Sequence, residues 1–186
     1  FSLENYDTYP SIKAPMELLY KAFIMTISMI VATYKNGCIG KDNNLPFNSK
    51  IDMKHFINMT KGRDIIMGRK TWDSLPKKPL PNRKNIIITR ANLKYFKSSN
   101  ENVIYVNSLE EALDISNDPF IIGGEQIYSQ CEKYADIIYR TVFPTIEIEG
   151  GDAFFILQQK WDVSDQTILF ENDKPIYFQT LKKAAH

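Results

Sequence analysis

The sequence predicts an α/β protein whose central, mostly parallel sheet carries helices on both faces and an antiparallel strand at its C-terminal edge. Three observations lead there. Between residues 26 and 143, short β-branched apolar runs alternate with helical patterns, the order of repeated βα units. The last two apolar runs, 161–170 and 176–181, follow each other with no helix between them, which suits an antiparallel edge. The 186 residues are 44% hydrophobic and 24% charged, enough for one domain with a buried core.

Each element has a local cause. "TISMIVAT" is β-branched and apolar, a buried strand over 26–33. "YKNGCIGKDNNLPF" is punctuated by glycine, asparagine and proline. A loop of that length inside a domain is often functional. The spacing predicts a helix over 49–60, then a short strand in "RDIIMG" and a helical turn in "RKTWDSL". A proline-stiffened loop, "KPLPNRK", feeds a strand at 85–89, and "NVIYV" is another. "SLEEALDIS" opens with a capping box, Ser108 followed by Glu111. "PFIIGGEQIYSQCEKYA" reads as strand, double glycine and helix, and "DIIYRTVF" as a strand.

Composition removes several function classes. The net charge is +1 with interleaved signs, so there is no basic face for nucleic acid. No run reaches the roughly 18 apolar residues of a membrane span. Cys38 and Cys131 lack metal or redox spacing and are expected to be small buried hydrophobes in a reducing, cytoplasmic compartment. Two histidines exclude a histidine-rich metal site, and no carboxylate cluster suggests calcium, so no metal is expected. The first residues lack the basic start and apolar stretch of a signal peptide.

Asp52 poses the sharpest question, because it shares a helical stripe with Phe56 and Met59. An acid among large apolar groups is costly to bury without a partner. Either Ser49 and Asp52 form a capping box, or the acid projects into a cleft and takes an amidine-like ligand through two parallel bonds. The two readings are compatible. Elsewhere, Gly68-Arg69-Lys70-Thr71 lies where a strand meets a helix, and Thr89-Arg90 ends a strand. Gly123-Gly124 opens a helix without a GxGxxG fingerprint, and alone reads equally as a tight turn. Three such sites beyond the strand ends point to a nucleotide.

"SMIVATYKNGCIGKDNNLPF", "IMGRKTWDSL", "KPLPNRKNIIIT", "FIIGGEQIY" and "GGDAFF" occur in order, and together they resemble dihydrofolate reductase over residues 24–183. The resemblance implies a dihydrofolate-reductase-like fold. It also implies NADPH-dependent reduction of 7,8-dihydrofolate to 5,6,7,8-tetrahydrofolate, with hydride arriving at pterin C6 and a proton at N5. The family's ionisable pocket group falls on Asp52, which would hold the pterin's 2-amino group and N3 and assist protonation. Thr141, supporting it, and Tyr128, near the nicotinamide, would be the other two catalytic residues. Ile30, Val31, Met53, Phe56, Leu80 and Ile122 would line the pterin and benzoyl pocket, and Arg83 would pair with the α-carboxylate of the glutamate tail.

The same resemblance places Ala32, Ile39 and Gly40 at the nicotinamide with Tyr128 near it, and counts Ile122 and Ile127 among the residues that bind the cofactor. Gly68, Arg69, Lys70 and Thr71, with Gly123, Gly124, Glu125 and Gln126, would bind its phosphates. Arg69, Thr89 and Arg90 would face the 2′-phosphate, favouring NADPH over NADH. Gly123-Gly124 matches the family's cis bond, residues 36–47 match the loop that closes over the nicotinamide, and Asp152 matches a residue that holds that loop. There are departures. Phe47 replaces a tryptophan whose N–H helps hold a water, Gln126 replaces an arginine of some members, "EGGDAFF" is longer than usual, and Ile156 replaces a proline.

Ahead of this domain, "LENYDTYPSIKAPMEL" resembles the last residues of thymidylate synthase. Residues 1–23 are thus a fusion remnant, a readthrough or a neutral tail, and 184–186 are a terminal tail or a scar of expression. As an isolated domain the resemblance implies a monomer acting on dihydrofolate, with a fusion or operon link to thymidylate synthase. Two other readings compete: a related-fold reductase of another heterocycle, and a non-catalytic module. The first has no use for Arg83, and the second predicts loss of Asp52 or the cofactor arginines.

Overall fold

The computed structural model describes residues 25–42, 48–96 and 98–184. The N-terminal extension 1–23, Phe47 and the last two residues, 185 and 186, lie outside them. In chain order the strands are β1 (Ser28–Tyr34), β2 (Cys38–Gly40), β3 (Asp64–Gly68), β4 (Lys84–Ile88), β5 (Val103–Val106), β6 (Phe120–Gly123), β7 (Ile137–Phe143), β8 (Ala153–Phe154), β9 (Trp161–Glu171) and β10 (Lys174–Lys183). The helices are α1 (Lys50–Thr60), α2 (Arg69–Ser74), α3 (Leu109–Asp114) and α4 (Glu125–Cys131).

The main sheet runs β5-β4-β3-β6-β1-β7-β10-β9. Its first six strands pair in parallel, whereas β10 is antiparallel to both β7 and β9. The antiparallel C-terminal edge is therefore present, with the last strand tucked inside and β9 outermost. A turn at Asn172 and Asp173, both at positive φ, joins the pair. β2 and β8 form a small second sheet that the sequence had hidden in loops. They are too short for a period-2 pattern to register.

The alternation of side chains divides the core in two. Met29, Val31, Ile66, Ile86, Ile121 and Ile138 face α3 and α4. Ile30, Ile65, Met67 and Ile87 face α1 and α2, through Phe56, Met59 and Trp72. Adjacent residues of one strand thus serve opposite layers, as the pleat dictates. Ser108 caps α3 by accepting from the Glu111 N–H at 3.1 Å. The Glu111 carboxylate reaches one residue further back than the box motif predicts, accepting from the Asn107 N–H at 2.8 Å.

Glu132, only 3% exposed, staples the end of α4 to the start of β9. Its carboxylate accepts from the N–H groups of Gln158 (2.9 Å), Gln159 (2.8 Å) and the Trp161 indole (3.0 Å). Glu132→Ala removes the buried carboxylate that accepts from all three donors. We expect a loss of about 3 kcal/mol, read as a melting temperature lower by roughly 6–12 °C for a domain of this size. Among the described residues no helix is long and apolar enough to cross a membrane.

Candidate active site

Ser49 caps α1 from an extended backbone, its Oγ accepting the Asp52 N–H at 3.0 Å. The Asp52 side chain does not complete the box. It accepts a hydrogen bond from the Thr141 hydroxyl on β7, and Thr141 is itself 2% exposed. Burial pushes the Asp52 carboxyl above its ordinary range, against the opposing pull of Thr141 and with a smaller upward push from Glu171. The backbone of Asp52 thus belongs to the cap and its carboxyl to the cleft. The carboxylate at the helix start comes instead from Glu171, whose Oε1 accepts from the N–H of Lys50 at 2.9 Å and of Ile51 at 3.3 Å. No local signal could reveal a partner 121 residues from Lys50.

The cleft opens where two parallel strands part. β1 pairs with β6 only at Ser28↔Phe120 and Met29↔Ile121, although β1 continues beside β7 to Tyr34↔Phe143. The Ile30 carbonyl accepts the Tyr128 hydroxyl at 2.7 Å. Beside it the β3–β6 register slips, with Ile66↔Ile121 followed by Met67↔Gly123, so Ile122 is an extra residue. Bulges of this kind re-aim a side chain beside a site, and Ile122 packs with Ile30, Phe56 and Leu80 in one apolar cluster.

Met53 and Ile57 extend this surface but remain 44% and 45% exposed. Ile57 was missed in the sequence, although it lies one turn beyond Met53 on the same face. Val31 needs correcting. The pleat sends its side chain into the α3–α4 layer, so only its backbone borders the cleft.

Arg83 stands at the other end of α1. From Asp52 to Thr60 is eight residues, about 12 Å of helix. The Arg83 Nε donates to Thr60 Oγ1 at 3.0 Å, Nη1 to the Pro81 carbonyl at 2.8 Å and Nη2 to the Ile57 carbonyl at 3.4 Å. Its guanidinium lies 5.9 Å from the centre of the Phe56 ring. The residue is 6% exposed, and burial lowers its affinity for the proton. Among the described residues no carboxylate pairs with it. A shielded cation held only by neutral acceptors favours an incoming anion.

Beyond the strand ends, the order β4-β3-β6 makes neighbours of the three turns singled out in the sequence. The β3–α2 and β6–α4 turns touch. A Cβ on Gly124 would stand 3.3 Å from Thr71 Oγ1, and one on Gly68 would stand 3.1 Å from Ile127. Gly123, at φ 123°, would carry its Cβ 3.3 Å from the Tyr128 ring, and its bond to Gly124 is cis as expected. Lys70, Arg69, Arg90, Glu125 and Gln126 are exposed along this edge. Arg69 meets Asp73 at 3.1 Å, an exposed pair of little weight. Thr89 is 3% exposed and turns its Oγ1 to the Ala91 N–H. The close-packed glycines beside exposed cations fit a phosphorylated cofactor.

Two expected contacts change character. Ile127 is buried under Gly68, and its N–H is bonded to the Gly124 carbonyl at 2.9 Å, so it shapes the turn from beneath. Tyr128 is buried edge-on to Phe155 with its proton committed to Ile30, and burial holds that proton more tightly still. It is a prop for the cleft floor and a poor acid. Ala32 packs with Ile51 and Phe178, whereas Ile39 joins the layer that holds Tyr128. Gly40 accepts the Asp152 N–H at 3.1 Å, and the Asp152 carboxylate accepts the Asp42 N–H at 3.0 Å, so Asp152 does hold the described part of that loop.

A depression of about 380 Å³ beside Glu110, Ser129 and Glu132 lies on the α3–α4 face, away from Asp52. Its buried acid already has its donors, so it is a structural feature.

The family model described as dihydrofolate reductase matches residues 26–183. The dihydrofolate reductase of Bacillus subtilis is 45% identical over 131 residues, which cover 69% of this chain and 74% of that protein. That of Haemophilus influenzae is 38% identical over 144 residues, 75% of this chain and 85% of its own length. The dihydrofolate reductase of Buchnera aphidicola from Baizongia pistaciae is 35% identical over 170 residues, 86% of this chain and 99% of its own length.

Proposed function

The chain belongs to the dihydrofolate reductase family, and from that premise we propose that Asp52 and Arg83 hold the two ends of dihydrofolate along α1. The protein reduces dihydrofolate to tetrahydrofolate with NADPH. One observation carries the assignment of residues. A desolvated carboxyl projects from the start of α1, and a shielded guanidinium is bonded to Thr60 at its end, eight residues or about 12 Å of helix further on.

Asp52 takes the 2-amino group and N3 of the pterin through paired hydrogen bonds, with Thr141 fixing the carboxyl. Phe56, Ile30 and Ile122 cover the rings, and Met53, Ile57 and Leu80 cover the benzoyl portion. Arg83 takes the α-carboxylate. Gly68, Thr71, Gly123 and Gly124 admit the NADPH phosphates, with Arg69, Lys70, Thr89, Arg90, Glu125 and Gln126 around them. When bound, NADPH supplies the hydride that C6 takes up. Asp52, its carboxyl pushed up by burial, holds its proton to higher pH than a free carboxyl and so serves the delivery of a proton to N5.

A reductase of another heterocycle has no tail for Arg83 to bind, and a non-catalytic module has no need of either buried charge. The free, buried cysteines Cys38 and Cys131 suit a reducing cytoplasmic setting. The link to thymidylate synthase rests on residues 3–18 alone. The test is the fall in NADPH absorbance on adding dihydrofolate. Turnover with dihydrofolate and none with a tail-less pyrimidine supports the assignment, and the reverse preference refutes it.

A further inference from the structure

We propose that Glu171, at the tip of the β9–β10 hairpin, is a positioning residue for Asp52: it anchors the first turn of α1 and sets the local field in which the Asp52 carboxyl takes up its proton. This rests on the reading of Asp52 as the proton-handling acid. The contacts form a continuous chain. The Asp52 N–H donates to Ser49 Oγ at 3.0 Å, the Ser49 side chain lies beside the Glu171 carboxylate and helps hold it ionised, and Glu171 Oε1 accepts from the N–H groups of Lys50 and Ile51. Glu171 Oε2 is shielded, with no hydrogen-bond partner among the described residues.

The hairpin is a long ladder closed by a two-residue turn, with Lys174↔Glu171 the last pair before it, so the carboxylate is presented from a β-ladder. An anion at a helix N-terminus is favourable in itself. It is ionised at neutral pH, because the Ser49 hydroxyl and the two amides hold its carboxyl below the usual range.

That fixed charge opposes ionisation of Asp52. The other groups facing Asp52 are the Thr141 hydroxyl from β7 and the Tyr128 hydroxyl from α4, with His55 one turn along α1, its ring 4.7 Å from Phe178. Neither hydroxyl carries charge near neutrality. Glu171 itself faces Lys50 of α1 and Lys174 of β10. Glu171 is therefore the anion that biases Asp52 towards its protonated form, while holding the helix that carries it.

Two substitutions separate the roles. Glu171→Gln keeps an oxygen for the Lys50 and Ile51 amides but removes the charge. The alkaline limb of the turnover profile then moves to lower pH by roughly half a unit, with KM for dihydrofolate near that of the wild type. Glu171→Asp keeps the charge on a shorter stem. Its limb stays in place, while KM rises about threefold or more as the helix start shifts. A Glu171→Gln profile that superimposes on the wild type overturns the proposal, as does a Glu171→Asp enzyme with unchanged KM. If Glu171→Gln fails to fold, Glu171→Asp decides alone. Asp52→Asn serves as reference: an alkaline limb that survives in it refutes the reading of Asp52 itself, whatever Glu171 does.

Discussion

Asp52→Asn lowers turnover of dihydrofolate at neutral pH by roughly 10²–10⁴-fold, the range for loss of a positioned acid or base, while NADPH still binds. The amide keeps the size of the side chain and can still meet Thr141, but it cannot exchange a proton or hold an amidine through two accepting oxygens. The pH dependence follows from the direction of the Asp52 shift. Burial lifts the carboxyl above its ordinary 3.8, so wild-type turnover falls as pH rises through the shifted value. In Asp52→Asn that limb is gone, and residual turnover climbs steadily as pH falls and solvent supplies the proton.

Stability moves the other way. Between the ordinary and the raised value the native state binds more protons than the unfolded chain, so wild-type stability declines as pH rises through that window and stays lower above it. Asp52→Asn escapes this decline and should melt no lower than the wild type at neutral pH. A variant that melts lower and turns over as before would refute the assignment of Asp52 to the cleft. The measurements are stopped-flow NADPH oxidation across pH and thermal melts at acid and neutral pH.

Arg83→Ala raises KM for dihydrofolate by about 10- to 100-fold, since hydrogen bonds to a charged group contribute roughly 1.5–3 kcal/mol. The change in kcat is small, because Arg83 is bonded to Thr60, eight residues of helix from Asp52. A pterin substrate without the glutamate tail provides the control. Its KM is high in the wild type and scarcely altered by Arg83→Ala. Some loss of stability accompanies the substitution, since Thr60 Oγ1 and the Pro81 carbonyl lose their donor. Equal sensitivity of both substrates would show that Arg83 only supports the fold.

Much of this was readable in the residues. The βα alternation, the edge pair and the helix starting at Ser49 follow from periodicity and caps, which are local properties. The turns at Gly68, Thr89 and Gly123 were also legible, because glycine and strand-end cations are punctuation visible in one dimension. Val31 shows the limit. The strand is legible in the residues, but which side of the sheet each side chain serves depends on register, and register is set by neighbours far along the chain. Tyr128 shows another: its position beside the cleft was readable, whereas its hydrogen bond to Ile30 exists only because β1 and β6 separate there.

The sequence by itself determined the elements, their order and the chemical inventory of the site: one acid on an apolar helix stripe, one arginine after a proline turn, and glycines at the strand ends. Only the tertiary structure decided how Asp52 divides between cap and cleft. A helix start needs acceptors, and either Asp52 or another anion could supply them. Glu171 meets that need from the β9–β10 hairpin and leaves the Asp52 carboxyl to Thr141 and the cleft. A contact spanning 121 residues leaves no trace in local pattern, because its free energy arises only when the sheet brings the hairpin to the helix.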